Sequence, residues 1–70
     1  MRFSGQLLRE KRLQAGKRPE TLAVEVKRSY AAITGYEAGR RFPTMQTVCR
    51  LADALGCDPG EFFEREAQAV

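Results

Sequence analysis

Arg12, Lys17, Arg18, Lys27, Arg28, Arg40 and Arg41 all lie in residues 1–41, where ten Lys or Arg stand against four Glu; residues 42–70 hold two Arg against five acids. Cations at this density suit a polyphosphate, because each one that neutralises a phosphate releases a condensed counterion. An unevenly charged, solvated surface would have the same composition, so charge alone names no partner. Other chemistry is poorly supplied. The chain has no histidine, no Gly-rich phosphate loop, no nucleophile beside a base and no carboxylate pair in a recognisable site, which argues against an enzyme. Cys49 and Cys57 form no CxxC pair, so no metal or cofactor is expected, and both are read as reduced, packed thiols.

The elements that must carry these cations are short helices. Seventy residues with 43% hydrophobic and 30% charged content make one globular domain, near the lower size limit for a single apolar core. A first helix is expected from Ser4 to Ala15, with Leu7, Leu8 and Ala15 on one face, Arg9, Lys11 and Arg12 exposed, and Gly16 after its end. Pro19 suits the first position of a second helix, whose Leu22, Ala23 and Val26 face inward. Lys27, Arg28 and Ser29 form a turn, Ser29 caps a third helix from Tyr30 to Ala38, and Gly39 stops it. Two short helices around so tight a turn make a helix-turn-helix pattern. Thr44 caps a fourth helix carrying Val48, Leu51, Ala52 and Leu55, ended by Gly56. Asp58, Pro59 and Glu61 mark the start of a fifth, with Phe62 and Phe63 behind them. Strand-like alternation is absent. The domain is expected to span 1–65, and Glu66 to Val70 to fray.

The runs LLREKR…AG, PETLAVEV, RSYAAITGYEAGRRFP and TVCRLADALGCDPGEFF together resemble the Cro/cI-type helix-turn-helix family, also called the xenobiotic-response-element family, from Leu7 to Phe63. The resemblance implies an all-α, compact five-helix lambda-repressor-like domain whose third helix enters the major groove of double-stranded DNA. It places Ser29, Tyr30, Ala31, Thr34 and Gly35 toward bases, Ala32, Ile33 and Tyr36 toward the core, and Glu37 as a structural acid. Two departures stand out. Pro19 occupies the place of a glutamine that often grips a phosphate, and Lys27 that of a frequent turn glycine. Lys11, Lys17 and Arg28 stand where the family often has aliphatic residues, so their stems are expected to cover the core while their charges reach water.

Arg12, Lys17, Arg18, Lys27, Arg28, Arg40, Arg41 and Thr44, with the N–H groups at the starts of helices two and four, are the candidate phosphate contacts. The third helix offers no Arg, Asn or Gln to base edges; Tyr30, Thr34 and Ala31 are what it has, so DNA shape is expected to supply much of the preference. A repressor-type transcriptional regulator acting as a dimer is the leading reading. The alternative is a protein-interaction module such as an antitoxin or adaptor. Phe62 and Phe63 bear on both, because adjacent helical residues cannot share one direction and at least one is left as a candidate contact for a partner subunit or protein. No apolar run approaches the ~20 residues that cross a bilayer. The start MRFSGQLLREKR is charged where a signal peptide is apolar, so a cytoplasmic protein without a membrane partner is expected.

Overall fold

Each helix sends its most apolar side chains to one centre: Leu8, Leu22, Val26, Ile33, Val48, Leu51 and Phe62 are all 1% exposed or less. The computed structural model describes residues 1–65; the expected fraying of residues 66–70 lies outside them. Four α-helices supply this core, α1 (Gly5–Gln14), α2 (Pro19–Val26), α3 (Tyr30–Ala38) and α4 (Met45–Leu55). Three begin at the hydroxyl caps expected of them. Ser4 Oγ accepts from the Leu7 N–H, Ser29 Oγ from Ala32, and Thr44 Oγ1 from Thr47, each satisfying a donor that the helix start leaves unpaired.

The fifth helix is not formed. In its place Pro59–Phe62 make a single 3-10 turn, in which the Glu61 carboxylate accepts from the Asp58 N–H at 2.9 Å. The backbone then turns extended at Phe63 because Phe63–Glu64 (β2) pairs antiparallel with Arg2–Phe3 (β1). Strands of two residues are too short to alternate, so the sequence carries no period for them. The Phe3 ring packs against both Phe62 and Phe63, edge-on to the latter at 5.9 Å. The Ser4 N–H donates to the Phe62 carbonyl at 2.7 Å, and Lys11 Nζ meets Glu61 Oε1 at 2.6 Å. That contact holds the Lys11 ammonium above, and the Glu61 carboxyl below, its ordinary pKa.

The orientation of α3 is set by α1. Arg12, expected on an exposed basic side, is instead buried. Its Nε and Nη2 grip the two oxygens of Glu37 at 2.6 and 3.0 Å, and its Nη1 donates to the Lys17 carbonyl at 2.9 Å. The hydrogen bonds to Glu37 raise the guanidinium pKa. A planar fork can satisfy three acceptors at once, which explains why an arginine tolerates burial here and why it is withdrawn from any phosphate. Near the other end of α1, a side chain on Gly5 would collide with the Tyr36 and Glu37 backbone, so only glycine lets the two helices approach this closely.

Between α2 and α3, Lys27 is left-handed (φ 58°, ψ 46°), the one non-glycine residue with positive φ among those described. Its N–H and that of Arg28 cap the last α2 carbonyls, at Val24 and Ala23. The turn geometry is thus met by a residue that resists it.

Two stability measurements check this account. Lys27→Gly is expected to gain roughly 1 kcal/mol, raising the melting temperature by about 4–8 °C; an unchanged or lower value would show that Lys27 carries no backbone cost. Arg12→Ala leaves Glu37 buried without its partner and is expected to cost about 3–5 kcal/mol in a denaturant titration, whereas a loss under about 1 kcal/mol would place the pair among weak surface bridges.

Candidate nucleic-acid interface

Successive helical residues turn by about 100°, which divides α3 into two arcs. Ala32, Ile33 and Tyr36 fall on one and are buried; Tyr30, Ala31, Thr34 and Ala38 fall on the other and face outward to differing degrees. Tyr30 is 53% exposed, Ala31 is open, and Thr34 is half-buried with its hydroxyl donated to the Ala31 carbonyl at 3.1 Å. Ser29, at the head of the helix, is exposed; its oxygen serves the cap and its hydroxyl proton is left for a ligand. The surface is uncharged and narrow, with one phenol, two hydroxyls and small apolar groups.

Gly35 differs from the other residues expected to face bases. It lies at the edge of the outward arc, yet it is buried, because the side chain of Arg41 covers it. The following loop turns back at once: the Gly35 carbonyl accepts from the N–H groups of both Arg40 and Arg41, at 2.9 and 3.2 Å.

The expected phosphate set divides in the same way. Lys17 is committed elsewhere, with its ammonium 2.7 Å from both Glu25 Oε1 and the Ala54 carbonyl, where it joins the connection between α1 and α2 to the last turns of α2 and α4. Lys27 lines an open depression together with Lys17, Glu25, Arg50 and Asp53, where cations and carboxylates are mixed. The stems of Lys11, Lys17 and Arg28 are half-buried as expected, but each charged end finds a protein partner. Arg28 donates to Thr47 Oγ1 at 3.0 Å, and Thr44 Oγ1 donates to that same oxygen at 3.1 Å, tying the entrance of α3 to the entrance of α4. Arg18, Arg40 and Arg41 are exposed, and none of them has an ion-pair partner among the described residues.

Phe62 and Phe63 separate as adjacent residues must. Phe62 is fully buried in the core, and Phe63 is half-buried against Phe3, so neither offers the open apolar contact expected of the pair. Cys57 is half-buried, with its thiol pKa pushed up by desolvation, and Cys49 is exposed rather than packed. Sequence reasoning missed two exposed apolar side chains beside the basic loop, Phe42 at 70% and Met45 at 61% exposure. The available signal was that Phe42, between Arg41 and Pro43, belongs to no helical period and has no core position to fill.

Residues 5–63 match the family model described as a helix-turn-helix domain. The restriction-modification controller protein C.AhdI from Aeromonas hydrophila superposes with a TM-score of 0.80 at 37% identity, over 84% of this chain and 89% of that one. The P22 c2 repressor, solved in complex with synthetic operator 9T in the presence of Tl+, superposes with a TM-score of 0.82 at 25% identity, over 91% of this chain and 97% of the repressor. No match was found among curated proteins. Where the resemblance implied five helices, the described residues form four and a 3-10 turn. No helix among the described residues is long and apolar enough to cross a membrane. With a family model matched over residues 5–63 and a controller protein 37% identical over 84% of this chain, the chain belongs to the Cro/cI-type, or xenobiotic-response-element, helix-turn-helix family of DNA-binding regulators.

Proposed function

We propose that this domain is a transcriptional regulator of the repressor kind, which binds double-stranded DNA with a sequence preference by inserting α3 into the major groove. The observation that carries the reading is a solvent-facing, uncharged arc on α3 beside arginines that no carboxylate neutralises among the described residues. Base edges require small polar and apolar groups at close range, and the flanking phosphates require fixed cations. Arg18, Arg28 and Arg40 would neutralise phosphates, and Thr44, whose hydroxyl proton goes to Thr47, would help by holding the start of α4 in place. The Met45 and Gln46 N–H groups beyond that cap have no backbone partner outside the helix and would point at an anion. The resemblance to an operator-bound repressor and to a controller protein supports the same reading.

One residue opposes it. Glu20 lies in the first turn of α2, where its carboxylate offsets the positive end of that helix, and Pro19 there has no N–H to offer. The start of α2 therefore contributes less than the start of α4. In this reading the protein works in the cytoplasm as a dimer, on half-sites about one helical turn of DNA apart. The protein-interaction alternative drew on the weak base-reading chemistry of the third helix, the acidic C-terminal half and Phe62 or Phe63; with one phenylalanine in the core and the other against Phe3, that pair lends it no support.

Gel shifts against a random duplex pool at two salt concentrations test the reading. Binding is expected at low salt and falls steeply as salt rises; no salt-sensitive binding even at low ionic strength would overturn it. Arg40→Ala should weaken every sequence alike and reduce the salt slope by about one, while Thr34→Ala should change the ranking of sequences. Glu20→Gln should tighten all of them about two- to fivefold by unmasking the helix end, and weaker binding would show that Glu20 helps rather than hinders.

A further inference from the structure

The outward arc of α3 lacks any side chain able to hold a base by two parallel hydrogen bonds, and Gly35 leaves a gap at its edge. Arg41 occupies that gap. A methyl group built on Gly35 would stand 3.0 Å from both Cγ and Cδ of Arg41 and 3.4 Å from its Cβ, so the arginine stem lies along the helix where a residue-35 side chain would be. The stem is seated there by backbone geometry, since the Gly35 carbonyl binds the Arg40 and Arg41 N–H groups and folds the loop against the helix it has just left. Arg41 is nonetheless exposed, and its guanidinium has no hydrogen-bond or ion-pair partner among the described residues. A planar five-donor group is thus carried on the recognition helix by a residue that does not belong to it.

We propose that Arg41 is the principal base-reading residue, contacting a guanine in the major groove through its O6 and N7 atoms, and that Gly35 lacks a side chain so that the Arg41 stem can be seated. This rests on the DNA-binding reading and deepens it. It also parts Arg41 from Arg40: both follow α3 and both are exposed, but the Gly35 surface carries the stem of Arg41. Guanine is the base indicated because its major-groove edge presents two acceptors at the spacing of the guanidinium fork.

The test uses the duplex that the whole chain selects from a random pool, varied to all four bases at each position and measured by fluorescence anisotropy at constant salt. One guanine is expected to be preferred about 5- to 150-fold over the other bases. Arg41→Ala and Arg41→Lys should both erase that preference while leaving the other positions unchanged, since lysine keeps the charge but not the fork. Gly35→Ala, which requires the stem to give by a few tenths of an ångström, should weaken the same position alone, with circular dichroism confirming that the helix is intact. Three results would overturn the proposal: no preferred guanine, an even loss on all sequences with Arg41→Ala, or full recovery with Arg41→Lys, the last two marking a phosphate contact. Absence of salt-sensitive binding by the unmodified chain would instead overturn the DNA-binding reading, and this proposal with it.

Discussion

The buried ion pair between Arg12 and Glu37 is the contact on which the rest of the domain depends. It joins α1 to the last turn of α3, and through the Lys17 carbonyl it also fixes the connection between α1 and α2. The pair is not a cheap source of stability, because two charges must leave water. What it supplies is geometry: two parallel bonds between flat groups fix a rotation, where apolar packing alone would tolerate sliding. Gly5 adds the complementary constraint by letting the start of α1 touch the α3 backbone. Between them, α3 is held at its C-terminal end while its outward arc stays free of structural duties.

The same logic accounts for the unusual sharing of work around that arc. Cations that a composition count would assign to a ligand are spent on the fold: Arg12 on Glu37, Lys11 on Glu61, Lys17 on Glu25 and α4. A domain of this size has little apolar area to bury, and long basic side chains extend it by laying their stems on the core and anchoring their ends. The cations that remain beside the outward arc come from the loop after α3 and from the helix entrances. A recognition helix made of small residues then becomes workable, because a neighbouring loop can lend it a side chain.

Much of this was legible in the sequence, for identifiable reasons. Hydroxyl caps at Ser4, Ser29 and Thr44, the glycine stops at Gly39 and Gly56, and the spacing of Leu22, Val26, Ile33, Val48 and Leu51 are local signals, and local signals fix helices. The left-handed strain at Lys27 was readable because the turn demands it whatever residue stands there. The failures that reshape the fold are long-range. The pairing of β1 with β2 joins residues at opposite ends of the described chain and turns the expected fifth helix into a single turn. The burial of Arg12 depends on a carboxylate 25 residues away. The resemblance places Gly35 toward the bases, and only the folded loop reveals that Arg41 lies on it. Phe62 and Phe63 could be told apart in direction but not in destination.

The central claim is that the outward arc of α3 and the loop behind it form the DNA surface, while Lys11 and Arg12 of α1 serve the fold. Titration of 15N-labelled protein with duplex DNA, followed through its backbone amides, tests this most directly. The account predicts the largest shifts at Ser29 to Gly35 and at Arg40 to Gln46, with Arg12, Lys17 and the Phe62–Phe63 segment little changed. Shifts concentrated on α1 or on the paired strands, with α3 silent, would contradict it.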